Sequence, residues 1–320
     1  MPSAREPGNF GMSVNENLKI GFQGARGAFS HRAGEIFAEQ VSKNSKSAGK
    51  VEFVPLQAFT EVFDTVVGGE CAFGVVPLEN SSVGSIVANY DLLWNKDVLI
   101  EAEIMLPVQH QLLGFPNAKV EELEIIYSHP VALDQCRILL NSLPSVKAIS
   151  YWDTSGAAFF VKESANPRMA AIASEFAAKE TGLTVLKANV EDHVGNNTRF
   201  GIIRKDSYVP GSKNNGKTAS ESGKAENSSE PYKLSCAAEI AHKPGSLAKL
   251  LTALADIGAN LTKIESRPIP ETPWHYRFFL DMELNSASYD DKIMAALSDS
   301  CRAYKILGRY KNWSIAPVAK

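Results

Sequence analysis

A hydroxyl and a fixed positive charge stand together in VGNNTRFGIIRK, residues 194–205. Thr198 can donate a hydrogen bond, and Arg199 carries a guanidinium that can hold a carboxylate through two bonds. The apolar segment that follows them is typical of a buried strand. Such a pair suits chemistry that needs placement and charge stabilisation rather than a covalent intermediate. The alternative is a polar loop that enters a strand with Arg199 solvated.

Polar residues also follow three other predicted strands, each just before a predicted helix. The first segment has four consecutive polar residues, more than one N-cap needs. In the second, His129 and Pro130 suit the N-cap and first helical positions, and Ser128 faces a ligand in this interpretation. In the third, Asp153 or Thr154 caps the helix. Because helix N-termini attract anions, three of them around one cleft predict a small carboxylate as ligand. The segments are VPLENSSVGSI (76–86), YSHPVALDQ (127–135) and WDTSGAA (152–158).

Several other site types are excluded by spacing. GFQGARGAFS (21–30) has glycines three apart, which differs from the dinucleotide motif G-x-G-x-x-G. The Gly-rich turn still lets the backbone approach a ligand. The six histidines lack metal-ligand spacing, and the four widely spaced cysteines form no C-x-x-C pair. We therefore predict no metal and no cofactor.

Composition places the chain among ordinary globular proteins. It has 320 residues, is 44% hydrophobic and carries a net charge of −3, which predicts neither nucleic-acid binding nor a membrane surface. No segment approaches the roughly 20 apolar residues of a membrane span. Residues 1–17 lack an apolar signal core and are predicted to be a disordered leader. The expected location is cytoplasmic, or plastid if the source is a plant or alga.

The polar segment 206–230 is predicted to be a flexible linker between two parts. Before it, strands and helices alternate, which predicts an α/β catalytic domain over 18–205. We expect two lobes, one formed by 18–97 plus 191–205 and the other by 98–190. After it, residues 231–320 follow the order β-α-β-β-α-β of a ferredoxin-like domain.

Taken in order, PLENSSVGSI, SHPVALDQC, NNTRF and NLTKIESRP resemble the prephenate dehydratase and arogenate dehydratase family. The resemblance covers residues 18 to 312. It implies a two-lobed, periplasmic-binding-protein-like catalytic domain with a C-terminal ACT domain. It also implies decarboxylative dehydration of prephenate to phenylpyruvate, or of arogenate to phenylalanine, without a cofactor. A chorismate mutase helix bundle is not expected before residue 18, so a monofunctional enzyme is predicted.

By the same resemblance, Thr198 is the catalytic residue, a hydrogen-bond donor to the departing ring hydroxyl, and Arg199 holds a substrate carboxylate. The other residues expected to bind substrate are Asn80, Ser81, Gly84, Ser128, Gln135, Thr154 and Phe200.

The resemblance further implies phenylalanine as a feedback inhibitor, bound between ACT domains of a homodimer or homotetramer. One half of that site is the loop after the first ACT strand, and the other is the segment around E-S-R-P. The expected residues are Gly245, Ser246, Leu247, Ala248, Asn260, Leu261, Glu265, Ser266, Arg267 and Pro268. Ser246 stands where the family usually has a small apolar residue.

Two other functions are alternatives to the dehydratase. A non-enzymatic, amino-acid-responsive binding protein would also use two lobes and an ACT domain, but it would not need the Thr198 donor. A nucleotide-dependent oxidoreductase fails on the glycine spacing.

Overall fold

The computed structural model describes residues 18–44, 50–206, 231–286 and 289–310, and in these ranges the chain forms two sheets flanked by helices. The predicted leader, most of the predicted linker and the last ten residues lie outside the described residues. Within these ranges, no helix combines the length and the apolar character that crossing a bilayer requires.

The first lobe is a sheet with helices on both faces. Its strands lie in the order β5-β11-β3-β1-β2, with β4 beside β3, and β11 is antiparallel to both of its neighbours. Phe37 of α1 packs with Ile20 on one face, whereas Phe63 of α2 packs with Leu78 on the other. The elements are β1 (Leu18–Gln23), α1 (Phe29–Asn44), β2 (Val51–Leu56), α2 (Phe59–Gly68), β3 (Phe73–Asn80), β4 (Gly84–Ser85), α3 (Val87–Asn95), β5 (Val98–Pro107) and β11 (Asn197–Lys205).

The second lobe is a separate sheet in the order β10-β6-β9-β7-β8. The chain enters it after β5 and returns to the first lobe at β11, and these two crossings are joined by hydrogen bonds between Val108 N and Asn196 O and between Val190 N and His110 O, both 2.8 Å. Its elements are β6 (Gln111–Gly114), a 3-10 turn (Val120–Glu122), β7 (Ile125–Ser128), α4 (Pro130–Asp134), α5 (Arg137–Asn141), β8 (Lys147–Ser150), α6 (Thr154–Ser164), β9 (Met169–Ala173), α7 (Glu175–Thr181) and β10 (Thr184–Lys187).

The two-lobed prediction is confirmed, but the boundary placed at residue 98 differs from the structure. β5 lies in the first sheet, where it pairs with β11 along its whole length. Its Ala102, Ile104 and Leu106 are buried in the apolar core beneath α1. Hydrophobic periodicity can indicate a strand, but it does not show which sheet that strand joins.

The C-terminal part has the predicted β-α-β-β-α-β order. Its elements are β12 (Tyr232–Ile240), α8 (Ser246–Asp256), β13 (Asn260–Pro268), β14 (Tyr276–Leu284), α9 (Asp290–Ser300) and β15 (Cys301–Tyr310), with strand order β13-β14-β12-β15 and all neighbours antiparallel. The second helix ends at Ser300, so Cys301–Tyr304 do not extend it. They instead begin β15, because Cys301 pairs with Ile240 and Tyr304 with Ala238 of β12.

The C-terminal domain is joined to the first lobe by a backbone pairing and a shared apolar core. β15 runs beside β5 in parallel, with Gly308 opposite Ile100. Phe279 and Leu307 of the C-terminal domain belong to the same buried cluster as Phe63 of α2. This seam makes the larger sheet continuous across both domains.

Helix α3 of the first lobe is clamped by cations of the C-terminal domain. Lys305 Nζ donates to the carbonyls of Leu93 and Lys96 at the end of α3, at 2.8 and 2.5 Å. The guanidinium of Arg277 lies 3.9 Å from the ring centroid of Trp94. A helix C-terminus carries unpaired carbonyls and partial negative charge. The cations of the C-terminal domain therefore stabilise the end of α3 and attach it to that domain.

Replacing Gly308 by alanine is expected to open the seam. A Cβ there would lie 2.4 Å from Ile100 O and 2.7 Å from Ile100 Cβ, so the backbone of β5 or β15 must move. Overpacking of this kind costs about 1–3 kcal/mol, which urea unfolding would record as a lower midpoint. Gly68→Ala is the control, because a Cβ at the end of α2 meets nothing closer than Glu70 Oε1 at 3.9 Å. A Gly308→Ala protein as stable as wild type would contradict this account.

Candidate functional site

Thr198 and Arg199 project from opposite faces of β11. Across the ladder to β3, Thr198 lies opposite Asn80 and Arg199 opposite Glu79. Because side chains alternate along a strand, one pair faces the second lobe and the other faces the C-terminal domain. Adjacent residues therefore serve two different surfaces of the same sheet.

On the cleft face, the Asn80 carboxamide is held in one orientation. Its Oδ1 accepts the backbone N–H groups of Ser82 and Val83 at 2.9 and 3.1 Å, so its NH₂ group must point the other way. That NH₂ donates to Thr198 Oγ1 at 2.9 Å and to Asn196 Oδ1 at 2.8 Å. Since Thr198 Oγ1 is an acceptor in this bond, its own proton is available to another partner.

Asn196 links this group to both Ser81 and the second lobe. Its Oδ1 also lies 3.4 Å from Ser81 Oγ, and its NH₂ donates to Gln135 Oε1 at 3.4 Å. Ser81 Oγ in turn accepts the backbone N–H of Asn197 at 2.9 Å. The structure thus gathers Asn80, Ser81, Gln135 and Thr198, as predicted, around an asparagine that the sequence analysis did not select. The doubled Asn before Thr198 was the available signal.

The Gly-rich turn after β1 contacts the second lobe. Ala25 N donates to Asp153 Oδ2 at 2.7 Å, and Ser174 Oγ donates to the carbonyl of Gly27 at 2.7 Å. A Cβ on Gly27 would lie 2.7 Å from Ala177 Cα, so a glycine is needed for this approach. The glycines therefore serve contact between the lobes rather than a phosphate.

Asp153 is the central residue of that contact. Its Oδ1 caps α6 by accepting the backbone N–H of Gly156, which confirms the predicted N-cap, while Oδ2 accepts Ala25 N. Burial raises the pKa of Asp153, and the hydrogen bonds from Gly156 and Ala25 oppose that rise. One carboxylate thus joins the lobes at the mouth of the cleft.

On the opposite face, Arg199 is the centre of a buried ion cluster. Its Nη1 lies 3.1 Å from Glu103 Oε2 and 2.8 Å from Asp281 Oδ2. Its Nη2 lies 3.1 Å from Glu79 Oε2 and donates to Tyr90 Oη at 2.8 Å. Asp281 belongs to β14, so this guanidinium connects the two domains.

The C-terminal domain adds three more groups to the ion cluster. Lys233 Nζ donates to both oxygens of Glu103 at 3.0 and 3.1 Å, Ser235 Oγ donates to Asp281 at 2.7 Å, and Tyr310 Oη donates to Glu103 at 3.1 Å. Two cations, Arg199 and Lys233, therefore meet two carboxylates, Glu103 and Asp281, and each side chain is less than a tenth exposed. The buried charges balance.

The pKa of Arg199 is raised. Burial alone would lower this pKa, but the charge of Asp281, with Tyr90 and Glu103, outweighs it. Burial raises the pKa of Tyr90 and of Tyr310, so both phenols stay neutral; Tyr90 accepts a hydrogen bond from Arg199, and Tyr310 donates one to Glu103.

Three predicted substrate-binding residues have other partners in the structure. Arg199 was expected to hold a substrate carboxylate, but its guanidinium points away from Thr198 and is engaged by three carboxylates of the chain. Phe200 is 2% exposed and packs in the core with Ile20 and Phe22. Ser128 is fully buried, and its hydroxyl donates to Ile172 O at 2.6 Å. The alternation of side chains along β11 turns Arg199 away from the cleft, and packing in the interior buries Phe200 and Ser128.

Gly84 and Thr154 remain at the surface of the cleft region. Gly84 is exposed with φ +87°, and a Cβ there would meet nothing within 4 Å. Thr154 is the first residue of α6 and is half-buried. His129 caps α4 through its Nδ1, which accepts Val131 N at 3.3 Å, as its structural interpretation predicted.

The residues expected to bind an effector fall into two groups that a single chain does not bring together. Ser246 and Leu247 line a cavity of about 360 Å³ with His242, Lys243 and Tyr276. Glu265 instead accepts a hydrogen bond from Ser85 of β4 at 2.8 Å, and Arg267 donates to Asp91 of α3 at 2.7 Å. The other expected effector residues are Gly245, Ala248, Asn260, Leu261, Ser266 and Pro268, of which all but Leu261 are exposed.

Comparisons with known proteins agree on one family. The family model for prephenate dehydratase matches residues 20–208. The chain is 34% identical to arogenate dehydratase/prephenate dehydratase 1, chloroplastic, of Arabidopsis thaliana over 92% of this chain and 72% of that protein. A solved prephenate dehydratase from Arthrobacter aurescens in complex with L-Phe has a TM-score of 0.74 and 26% identity, covering 92% of this chain and 90% of that one. GqqA, described as a quorum-quenching acylase, has a TM-score of 0.73 and 27% identity, covering 93% and 98%.

Removing the Arg199 charge is expected to cost far more stability than removing a similar charge on the same strand. Arg199→Met leaves Glu103 and Asp281 buried beside each other with Lys233 alone, and breaking a buried pair costs about 3–5 kcal/mol. Arg204→Met is the matched control, because its bond to Glu101 at 2.5 Å is partly exposed and such pairs contribute about 1 kcal/mol or less. Urea unfolding of both variants measures the difference, and equal losses would show that the cluster is not a structural centre.

Proposed function

The chain belongs to the prephenate dehydratase family, and from that premise we propose that it catalyses the decarboxylative dehydration of prephenate or arogenate in phenylalanine biosynthesis. The reaction breaks the bond between the ring and its carboxylate. The electron pair of that bond enters the ring, hydroxide departs from the far ring carbon, and a proton completes water. Aromatisation provides the driving force, so the step needs no redox partner.

One observation carries the proposal: the cleft holds a threonine, Thr198, whose hydroxyl proton is donated to no other residue that the structure describes. Asn80 donates to Thr198 Oγ1, and the Asn80 amide cannot turn because Ser82 and Val83 hold its oxygen. Thr198 is therefore the donor that strengthens as the hydroxyl leaves. A neutral threonine is a weak acid, so it acts by hydrogen bonding in the transition state rather than by full proton transfer beforehand.

The remaining polar groups suit a substrate rich in oxygen. Ser81, Thr154 and the NH₂ group of Gln135 are donors on the cleft side of the fold. We propose that Arg199 does not bind the substrate, because its charge is already matched by Glu79, Glu103 and Asp281. Its role is to hold β11, and with it Thr198, in position. Binding of the substrate carboxylates then falls to hydroxyl, carboxamide and backbone donors.

The similarity to GqqA raises acyl hydrolysis as a second activity, and the site geometry argues against it. Acyl transfer by a side-chain nucleophile needs a base within hydrogen-bond reach of it. Across the described ranges, the hydrogen bonds and ring contacts made by histidines involve backbone groups, Gln135 or aromatic rings, and none joins a serine or cysteine. Burial also raises the pKa of Cys136 to about 12, which keeps that thiol protonated.

Purified protein is expected to convert prephenate to phenylpyruvate, arogenate to phenylalanine, or both. The products are measured with each substrate separately, with and without added phenylalanine. We propose phenylalanine as an inhibitor, with ACT domains pairing between copies, on the strength of family membership and the L-Phe complex of the Arthrobacter relative. Tight binding of either substrate without product would favour the binding-protein alternative, and hydrolysis of an N-acyl compound would favour the acylase.

Thr198→Val is expected to lower kcat by about 10²–10³-fold, the usual loss when one transition-state donor is removed. Valine keeps the shape of threonine but has no hydroxyl. Thr198→Ser keeps the donor and is expected to retain most of the rate. Steady-state kinetics with the better substrate measures both variants, and near-wild-type turnover by the valine variant would refute the role of Thr198.

A further inference from the structure

A chain of hydrogen-bonded side-chain amides, called the amide chain below, runs from Asn80 through Asn196 to Gln135. Thr198 is bonded to its first member and His110 to its last. His110 lies between the first crossing segment and β6, and it is 3% exposed. Its backbone is fixed on both sides, because His110 N donates to Glu191 Oε2 and His110 O accepts Val190 N, each at 2.8 Å. His110 lies in none of the sequence motifs that predicted the site.

The direction of every bond in the amide chain is determined. Asn80 turns its NH₂ to Asn196, so Asn196 presents its own NH₂ to Gln135. The atom of Gln135 that receives it must be the oxygen, Oε1. His110 Nε2 lies 3.0 Å from the same Oε1, and therefore Nε2 carries the proton and donates.

The other ring nitrogen supports this tautomer. His110 Nδ1 is buried and has no hydrogen-bond partner among the described residues, so a proton placed there would be an unsatisfied donor. Burial lowers the pKa of His110, although the hydrogen bond to Gln135 opposes this. A neutral ring with its single proton on Nε2 satisfies both observations.

Two donors on Oε1 leave the Gln135 carboxamide only one orientation. If the amide turned over, its NH₂ would face the NH₂ of Asn196, donor against donor. The NH₂ of Gln135 donates to no other described residue, which leaves it as a donor for a ligand. Gln135 directly follows α4 of the second lobe, whereas Asn80 and Thr198 belong to the first lobe. The amide chain therefore spans the cleft.

We propose that His110 is a positioning residue of the proposed reaction: its Nε2–H fixes the Gln135 carboxamide so that the Gln135 NH₂ donates to an oxygen of the bound substrate. His110 itself does not touch the substrate. Its contribution is the hydrogen bond to Gln135 Oε1, which lies on the side of the carboxamide away from the substrate. The inference rests on the proposed function and adds to it a residue that sets substrate affinity.

The test compares histidine variants that differ in the reach of one N–H. His110→Gln can place an amide NH₂ near the former Nε2, whereas His110→Asn ends near the former Nδ1, and both are polar and smaller than or similar in size to histidine. We expect His110→Asn to raise KM about tenfold, the loss of roughly one hydrogen bond, with kcat changed much less. His110→Gln should recover most of that loss. Equal KM values for the two variants would overturn the proposal.

A double-mutant cycle separates positioning from general damage. In a Gln135→Ala background, His110→Asn should change KM by less than twofold, because the group on which it acts is gone. A further tenfold increase there would show that His110 acts by another route. Thermal unfolding of each variant confirms that the comparison is between folded proteins. Wild type assayed in parallel distinguishes the two claims: an inactive wild type overturns the proposed function and this inference with it, whereas an active wild type with unaffected variants overturns only the inference.

Discussion

The buried ion cluster around Arg199 is the constraint on which the arrangement of the domains depends. Charges taken out of water are tolerated only when each meets a partner of opposite sign in good geometry. Arg199 and Glu103 come from the first lobe, whereas Lys233 and Asp281 come from the C-terminal domain. Arg199 and Glu103 pair within the first lobe, whereas Asp281 pairs with Arg199 and Lys233 with Glu103 across the boundary between the domains. The cluster therefore specifies how the domains fit more than it adds to their stability.

The cluster also gives the alternation of β11 a functional meaning. Thr198 is bonded to Asn80 on one face, and the next residue is bonded to Asp281 of β14 on the other. A displacement of β14 would therefore move Arg199 and, through a single peptide unit, the backbone that carries the Thr198 hydroxyl.

Much of the fold could be predicted from the sequence because periodicity and capping act locally. The start of α6, the β-α-β-β-α-β order and the Asp153 cap depend on residues near one another in the chain. The placement of β5, the direction of Arg199 and the burial of Phe200 depend on partners about 100 residues away or on the other domain. His110 and Asn196 could not be identified for the same reason, since each depends on a contact with Gln135, which lies 25 and 61 residues away in the chain, respectively.

The seam at Gly308 gives the molecule a mechanical property. β15 and β5 are matched at one pair of residues, Gly308 and Ile100, whereas β12 and β15 are matched along most of their length. A long ladder resists twisting because every rung must break, but a single rung acts as a pivot. At this point the backbone does little to fix the C-terminal domain against the first lobe. The side chains around the pivot, those of the ion cluster and the shared apolar core, set its orientation instead.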